Sequence, residues 1–497
     1  MQQRARFTLR HAGLLALASI GLGPGCAQNG PLSDEEMAKL REFRLPATPP
    51  PDTSNLHEDD LMAARLGKQL FFDGAFSGAL GPYNVLGTNG ALGNEDDPGK
   101  VSCASCHDPL TAGVDRRSRP NATSLGVSYT HRNAPTVINA AHSPVWQFWD
   151  GRADSLWSQA LSPPEGPAEC GGSRLGVAHV LYERYREPFR AVFGPDALPD
   201  DLADAARFKP EGKPGFENGC QVGDARAREP FDDAFDCMVD EADPGPGTAD
   251  QRIVNQIYAN FGKAIAAYER RLVSSAFYPS PFDAFMAGTE TAMSPAAIRG
   301  ARLFIGRAGC AECHSGPMFT DYSFHNIGVP QTGQYPPATD DGRYDAIGGT
   351  EGIDRIESVT KNIFNRGGDF SDDPSDTNIG HLTFPTPAPD STKGQFKTPS
   401  LRNVGKTAPY MHNGVYQTLW DVVNHYNFGG STGPYSGSKD PALAPLLLTD
   451  AELGDLVEFL RALDDGDVRP TVDFDQCDDG QGLLGAPKPS PEPPCGP

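Results

Sequence analysis

The stretches CASCH at residues 103–107 and CAECH at residues 310–314 decide how this chain is interpreted. In each, two cysteines lie three positions apart and a histidine directly follows the second. This is the attachment pattern of c-type haem, in which both thiols bind the porphyrin covalently and the histidine ligates the iron. With 10 Cys and 11 His among 497 residues, chance explains two matches poorly. A zinc ribbon needs no histidine after each pair, so we predict two covalently bound haems c. The predicted attachment residues are Cys103, Cys106, Cys310 and Cys313.

A second repeated motif follows each haem motif. Segments 135–157 (PTVINAAHSPVWQFWDGRADSLW) and 399–420 (PSLRNVGKTAPYMHNGVYQTLW) share a Pro-Thr/Ser-x-x-Asn start and a Leu-Trp end. Apolar periodicity predicts helices over 250–273 and about 59–70, and a capping box at Thr449 and Glu452 begins a last helix that Gly466 ends. Strand signals are few. We therefore predict an all-α protein with two cytochrome-c-like haem domains, related by internal duplication and carrying long loop insertions.

The N-terminus predicts export. Three arginines precede a short apolar stretch, which is the pattern of a signal peptide. Cys26 follows that stretch and resembles a lipoprotein cleavage site, with ordinary cleavage further on as the alternative. We expect a periplasmic protein, anchored to a membrane if Cys26 is lipidated. The predicted parts are a signal (1–26), a linker (27–58), an N-terminal haem domain (59–290, insertion 205–248), a C-terminal haem domain (291–468, insertion 331–395) and a Pro/Gly/Asp-rich tail (469–497).

Charge and the other cysteines add two expectations. The chain has 42 Lys and Arg against 65 Asp and Glu, a net charge of −23, which argues against nucleic-acid binding and permits a basic protein partner. In an oxidising compartment, Cys220 with Cys237 and Cys477 with Cys495 are plausible disulfides that staple loops. Cys170 is left over, unless it pairs with one of those four.

The motifs together resemble one family. LGKQLFFDGAFSG, RNAPTVINAA, QFWDGRADSLWSQA, NFGKAIAAYERRLVS, GARLFIGRAGCAECHSGPMFTDYSFHNIGVP and KTPSLRNVGKTAPYMHNG are similar to motifs of the bacterial di-haem cytochrome c peroxidases, which include the MauG type. The likeness runs from about Leu61 to Leu463. It implies a peroxidatic N-terminal haem and an electron-transferring C-terminal haem.

The resemblance assigns roles to individual residues. His107 and His314 become the proximal iron ligands. Glu169, ten residues after Gln159, becomes the distal acid–base, with Glu165 as a rival, and Gln159 helps to position peroxide. Trp149 matches the tryptophan between the haems. The family's calcium ion maps to the Asn133 side chain and to the carbonyls of Thr407 and Pro409.

The chain departs from many family peroxidases at two axial positions. Where they carry a distal histidine on the N-terminal haem, this chain has Val127, which cannot bind iron; His131 is the alternative ligand. Where the C-terminal haem often has an axial methionine, the register gives Tyr426, as in the MauG type, with Met411 and His425 as alternatives. Val127 favours an open, five-coordinate peroxidatic iron, and both departures favour a MauG-like enzyme that accepts peroxide directly without excluding a peroxidase. A phenolate ligand favours oxidised iron, whereas methionine raises the potential.

These features leave three functions to compare. The first is reduction of hydrogen peroxide with electrons from a small c-type cytochrome or a cupredoxin. The second is MauG-like, peroxide-dependent oxidation of residues on a partner protein. The third is a plain di-haem electron carrier, which Glu169 and the missing distal histidine disfavour. The resemblance also implies a homodimer, since family peroxidases are often dimers.

Overall fold

The structure is a computed structural model. It describes residues 30–466 except 47, 84–89, 116, 118–122, 144, 205–207, 209–248, 275–278, 334, 338, 345–361 and 376–389. Its helices are α1 (Asp34–Arg41), α2 (Leu61–Phe72), α3 (Cys103–Cys106), α4 (Leu156–Gln159), α5 (Ser162–Glu165), α6 (Arg174–Arg184), α7 (Arg186–Phe193), α8 (Ala249–Glu269), α9 (Pro281–Met286), α10 (Pro295–Phe304), α11 (Leu419–Asn427) and α12 (Asp450–Arg461). Within the described ranges, pairing into a sheet is limited to the antiparallel strands β1 (Phe324–His325) and β2 (Phe396–Lys397). The predicted helical character is confirmed.

Two crossed helix pairs organise the chain, and each pair meets at a glycine. Helix α2 packs on α8, and α10 packs on α12. A Cβ atom built on Gly67 would lie 1.9 Å from the carbonyl oxygen of Ala264, and one on Gly300 would lie 2.0 Å from that of Asp455. No side chain fits at either crossing, so glycine allows the two helix backbones to touch.

The predicted helix boundaries are close to the observed ones. The capping box is present, since Thr449 and Glu452 each accept from the other's backbone N–H. That helix ends at Arg461 rather than at Gly466, and the buried Leu463 packs from the turn that follows. The helix expected over 250–273 ends at Glu269, and the carbonyl of Leu272 accepts from the N–H of Asn139 instead.

Each helix pair contributes to its own hydrophobic core, and two segments extend the cores in ways the sequence did not indicate. Leu40 and Phe43, in the stretch expected as a linker, are buried among the apolar side chains of α10 and α12. Phe364 and Phe370, in the expected insertion 331–395, are buried in the core around Trp157. Part of the expected linker and part of this expected insertion therefore belong to the hydrophobic cores.

Local geometry recurs at the repeated motifs. Asn139 and Asn403 both have a left-handed backbone conformation, with φ of 65° and 62°, and each precedes a short 3-10 helix. The bridges Gln147–Ala153 and Tyr410–Tyr416 are both antiparallel. This recurrence agrees with internal duplication, which stays a prediction.

Several predictions fall outside the described residues. They concern the signal peptide, Cys26, the proposed disulfide cysteines and the tail. Cys170 is described and is a buried free thiol. None of the described helices combines the length and apolar character needed to cross a membrane.

Candidate active site

The first haem motif forms a short helix with its histidine at the end. Ser102 precedes α3, and His107 follows it as the C-terminal cap. The Nδ1 atom of His107 lies 2.9 Å from the carbonyl oxygen of Pro135. Burial lowers the pKa of His107. A neutral imidazole whose Nδ1–H donates to a carbonyl leaves Nε2 available as an iron ligand, which is the usual arrangement of metal-binding histidines.

The second motif repeats this arrangement. Cys310–Glu312 form a 3-10 turn, and the Nδ1 atom of His314 lies 2.9 Å from the carbonyl oxygen of Phe319. Burial again lowers the pKa of the histidine. Both motifs therefore have the local geometry that haem attachment requires. The four predicted attachment thiols are also free of disulfides: Cys103, Cys106, Cys310 and Cys313.

A cavity of about 350 Å³ lies beside the second motif. Its lining is largely apolar and includes His314 with both attachment cysteines, Cys310 and Cys313. Lys397 also lines it, and burial lowers the pKa of that ammonium to about 8. A porphyrin would supply apolar surface to this lining and carboxylates to Lys397, so the residues fit a haem.

The candidates for the second axial ligand differ in their surroundings. Tyr426 and Met411 both line the cavity with His314. His425 does not line it, and both its ring nitrogens are engaged, Nδ1 with the Tyr416 hydroxyl and Nε2 with the Ile327 carbonyl, each at 2.9 Å. Burial raises the pKa of the Tyr426 phenol, so ligation as phenolate would rely on the positive charge of the iron.

Val127 and Glu169 lie side by side near the first motif. The N–H of Val127 donates to the carbonyl of Glu169 at 2.7 Å, and that of Ser128 donates to Ala168 at 3.1 Å. Val127 is buried. Burial raises the pKa of the Glu169 carboxyl, and Arg152, 3.9 Å away, opposes that shift. The valine at the expected ligand position thus adjoins the expected acid–base.

The rival carboxylate has a different environment. Glu165 accepts from Nε and Nη2 of Arg174 at 2.8 and 2.9 Å and also from the backbone N–H of Arg174 at 3.1 Å. Both side chains are almost fully buried. Because both its oxygens are used in this ion pair, Glu165 has a structural role. Gln159 is half-buried at the end of α4.

Trp149 joins the two halves of the chain. Its Nε1–H donates to the carbonyl of Asn133 at 2.9 Å, and its own carbonyl accepts from the N–H of Lys397 at 2.7 Å. The ring packs edge-on against His412, with 6.5 Å between ring centroids, and it lines the cavity near the second motif. This location suits the predicted place between the haems.

The expected calcium ligands are brought together only in part. The Asn133 amide lies 2.9 Å from the carbonyl oxygen of Pro409 and is assigned as the donor. Pro409 and Thr407 line the same cavity. Oxygen donors of this kind fit calcium if the Asn133 amide turns its oxygen toward Pro409.

A buried ion-pair network at the same junction was missed by sequence reasoning. Arg132 donates to Asp150 at 2.6 Å and to both carboxylate oxygens of Asp340 at 2.6 and 2.8 Å. Asp150 also accepts from Arg152 at 3.2 Å. The network holds Arg132 and Asp150, which directly adjoin Asn133 and Trp149 in the chain. In the sequence, the one indication of this network was that Arg132 directly precedes Asn133, an expected calcium ligand.

The chain is similar to known proteins over most of its length. The model of the family "Di-haem cytochrome c peroxidase" matches residues 62–209. Cytochrome-c peroxidase IdrP1 of Denitromonas iodatirespirans is 33% identical over 421 residues, 84% of this chain and 85% of that protein. The methylamine utilization protein MauG of Methylorubrum extorquens is 29% identical over 434 residues, 87% and 86% of the two chains.

Solved structures show the same fold. A MauG-like protein associated with microbial copper homeostasis has 25% sequence identity and a TM-score of 0.50, covering 85% of this chain and 94% of the other. The diheme peroxidase BthA from Burkholderia thailandensis has 22% identity and a TM-score of 0.51, covering 86% and 92%. The protein is a peroxide-reducing oxidoreductase with two haems c. The chain belongs to the di-haem cytochrome c peroxidase family.

Proposed function

We propose that hydrogen peroxide is reduced at the haem held by His107, with electrons arriving through the haem held by His314 from a small redox protein. The observation that carries this proposal is the backbone hydrogen bond between Val127 and Glu169. It joins the backbone of a residue that cannot bind iron to the backbone of the expected acid–base. The position where family peroxidases carry a distal ligand and the expected proton-transfer residue are therefore neighbours in the fold.

Glu169 is suited to the proton transfer that this reaction needs. The haem supplies the iron to which peroxide binds and the electrons that cleave its O–O bond. The carboxylate accepts the proton of one peroxide oxygen and returns it to the other, which leaves as water. Burial raises the pKa of the Glu169 carboxyl, and the nearby Arg152 opposes that shift.

Electron delivery is assigned to the helix that carries Tyr426. Trp420, Phe428 and Leu447 are 40%, 68% and 82% exposed. Trp420 lies in the first turn of α11, and Phe428 directly follows the last residue of that helix. The carbonyl of Asn427 accepts from the N–H of Leu446, which brings Leu447 to the same end. Exposed apolar side chains on and beside this helix suit the small, transient interface of a cytochrome or cupredoxin donor.

Tyr426 favours a second candidate, the MauG-like oxidation of a partner protein. A phenolate ligand would favour the oxidised forms of the second haem, so that oxidising equivalents reach a protein docked at the same face. This candidate keeps the roles of His107 and Glu169 and changes only what is oxidised.

One titration tests the proposal. The fully oxidised, haem-loaded protein receives one equivalent of hydrogen peroxide and is followed by optical and EPR spectra. We expect an immediate change with loss of a high-spin ferric signal. A protein that reacts only after addition of one electron would contradict it and indicate a distal ligand, with His131 as the first candidate. Rapid oxidation of a reduced cytochrome c then favours peroxidase function, whereas slow oxidation favours the MauG-like function.

Three further features belong to the proposal. A periplasmic location follows from the expected signal, and cell fractionation with mass determination at Cys26 tests both export and lipidation. Calcium at Asn133, Thr407 and Pro409 is tested by metal analysis of the purified protein before and after chelation. A homodimer is tested by sedimentation. The calcium site and the homodimer are supported by the family resemblance, and the periplasmic location is supported by the signal pattern in the sequence.

A further inference from the structure

Three tyrosine side chains form a contiguous cluster that the proposed function does not use. Tyr129 and Tyr335 are stacked, with 3.6 Å between ring centroids and 12° between planes. Tyr83 packs against both, with centroids 6.0 Å from Tyr129 and 5.8 Å from Tyr335. The rings come from three separate parts of the chain, and Tyr335 comes from the segment expected as an insertion. We call these three residues the tyrosine cluster.

The tyrosine cluster connects the surface with the first haem motif. Tyr83 is 48% exposed, whereas Tyr129 is 6% exposed. Tyr129 forms an antiparallel bridge with Leu125, and the Leu125 carbonyl oxygen lies 3.6 Å from Sγ of Cys106, one of the two attachment atoms. The buried end therefore lies one residue pair away from Cys106, an attachment residue of the first haem motif.

Rings in contact provide the shortest path for an electron because electron transfer slows steeply with distance. Tyrosine is also the side chain whose phenol can lose an electron and a proton to a strong oxidant. At Tyr83 the released proton passes to bulk water. Trp149 instead packs against His412 and lines the cavity near the second motif. The tyrosine cluster is therefore a separate route.

We propose that the tyrosine cluster is a second electron-entry path, and that Tyr83 is a surface site where small phenols and similar electron-rich aromatic molecules are oxidised. The inference rests on the proposed peroxidatic role of the His107 haem. In the balanced reaction, one hydrogen peroxide and two phenols give two waters and two phenoxyl radicals. Each phenol loses one electron and one proton. The electrons pass through Tyr83, Tyr335 and Tyr129, and the protons complete the two waters.

Trapping of the radical tests the path independently of turnover. The haem-loaded protein is mixed with hydrogen peroxide and a nitroso spin trap without a donor, and peptides are mapped by mass spectrometry. We expect the adduct on Tyr83, and freeze-quench EPR should show a tyrosyl radical that Tyr83→Phe diminishes. An adduct pattern unchanged by Tyr83→Phe would overturn the proposal.

Turnover with two donors separates this proposal from the proposed function. Tyr83→Phe should reduce peroxide-dependent guaiacol oxidation by at least about tenfold while cytochrome c oxidation stays within about twofold. Tyr182→Phe, which removes a hydroxyl from α6 outside the cluster, is the matched control and should change neither rate. Equal guaiacol rates in Tyr83→Phe and the parent would refute the surface site. A parent protein inactive with both donors would instead refute the proposed function.

Discussion

Replacing each of two nearby glutamates in turn with glutamine should distinguish a catalytic role from a stabilising role near the first haem motif. Glu165 and Glu169 are four residues apart, yet the first is paired with Arg174 and the second adjoins Val127. The substitution Glu169→Gln keeps the shape of the side chain and removes the proton acceptor. General acid–base catalysis contributes about 10²- to 10⁴-fold, so the rate of reaction with peroxide should fall by that factor. This corresponds to about 3–5 kcal/mol in the activation barrier.

The matched variant, Glu165→Gln, should lose stability and keep its rate of reaction with peroxide. Glu165→Gln leaves the buried Arg174 guanidinium without its carboxylate, and breaking a buried ion pair costs about 3–5 kcal/mol of unfolding free energy. Glu169→Gln removes only a 3.9 Å contact with Arg152 and should leave stability nearly unchanged. Stopped-flow spectroscopy gives the peroxide rate of the folded protein, and urea unfolding gives the stability. If Glu165→Gln lost the peroxide rate while remaining stable, and Glu169→Gln kept it, the assignment of the acid–base would be wrong.

Three other outcomes follow from the same surroundings. Arg152 opposes the burial that raises the pKa of Glu169, so Arg152→Leu should move the acid limb of the peroxide pH–rate profile to higher pH, whereas Arg152→Lys should leave it nearly in place. Burial raises the pKa of the Glu269 carboxyl from 4.5 to about 8, so between these pH values the unfolded chain has lost this proton and the folded chain keeps it. The free energy of unfolding should therefore decrease by about 1.4 kcal/mol for each unit by which the pH rises over that window. The urea midpoint of Glu269→Gln should not decrease in this way between pH 5 and pH 8. A parent protein whose midpoint does not decrease would contradict the assignment. Trp149→Phe should slow electron transfer between the haems and leave the peroxide rate unchanged in stopped-flow experiments, and equal transfer rates would exclude Trp149 from the path.

Much of the site could be predicted because its chemistry is local in sequence. Covalent attachment requires two cysteines and a histidine at fixed spacing, and the structure gives both histidines the hydrogen bond that leaves Nε2 for iron. The capping box at Thr449 is likewise a contact between residues three positions apart. Helical periodicity placed the long helices within a few residues for the same reason.

The pairing of distant groups could not be predicted in this way. Arg132 and Asp340 are 208 positions apart, and no local pattern indicates that their charges neutralise each other. The contribution of Leu40 to the C-terminal core and of Phe364 to the N-terminal core depends on the path of the whole chain. Composition and periodicity describe those segments only as a linker and an insertion.

The sequence by itself predicted two covalent haems and their attachment motifs, and it determined the helical class and the family, because covalent chemistry and helix capping act over a few residues. Only the tertiary structure decided which glutamate is held by an arginine, that His425 is engaged through both its nitrogens, and that Tyr83, Tyr129 and Tyr335 pack together. Those outcomes depend on burial and on contacts between segments far apart in the chain. Desolvation and ion pairing set the pKa values and roles of such groups, and both arise only when the chain has folded.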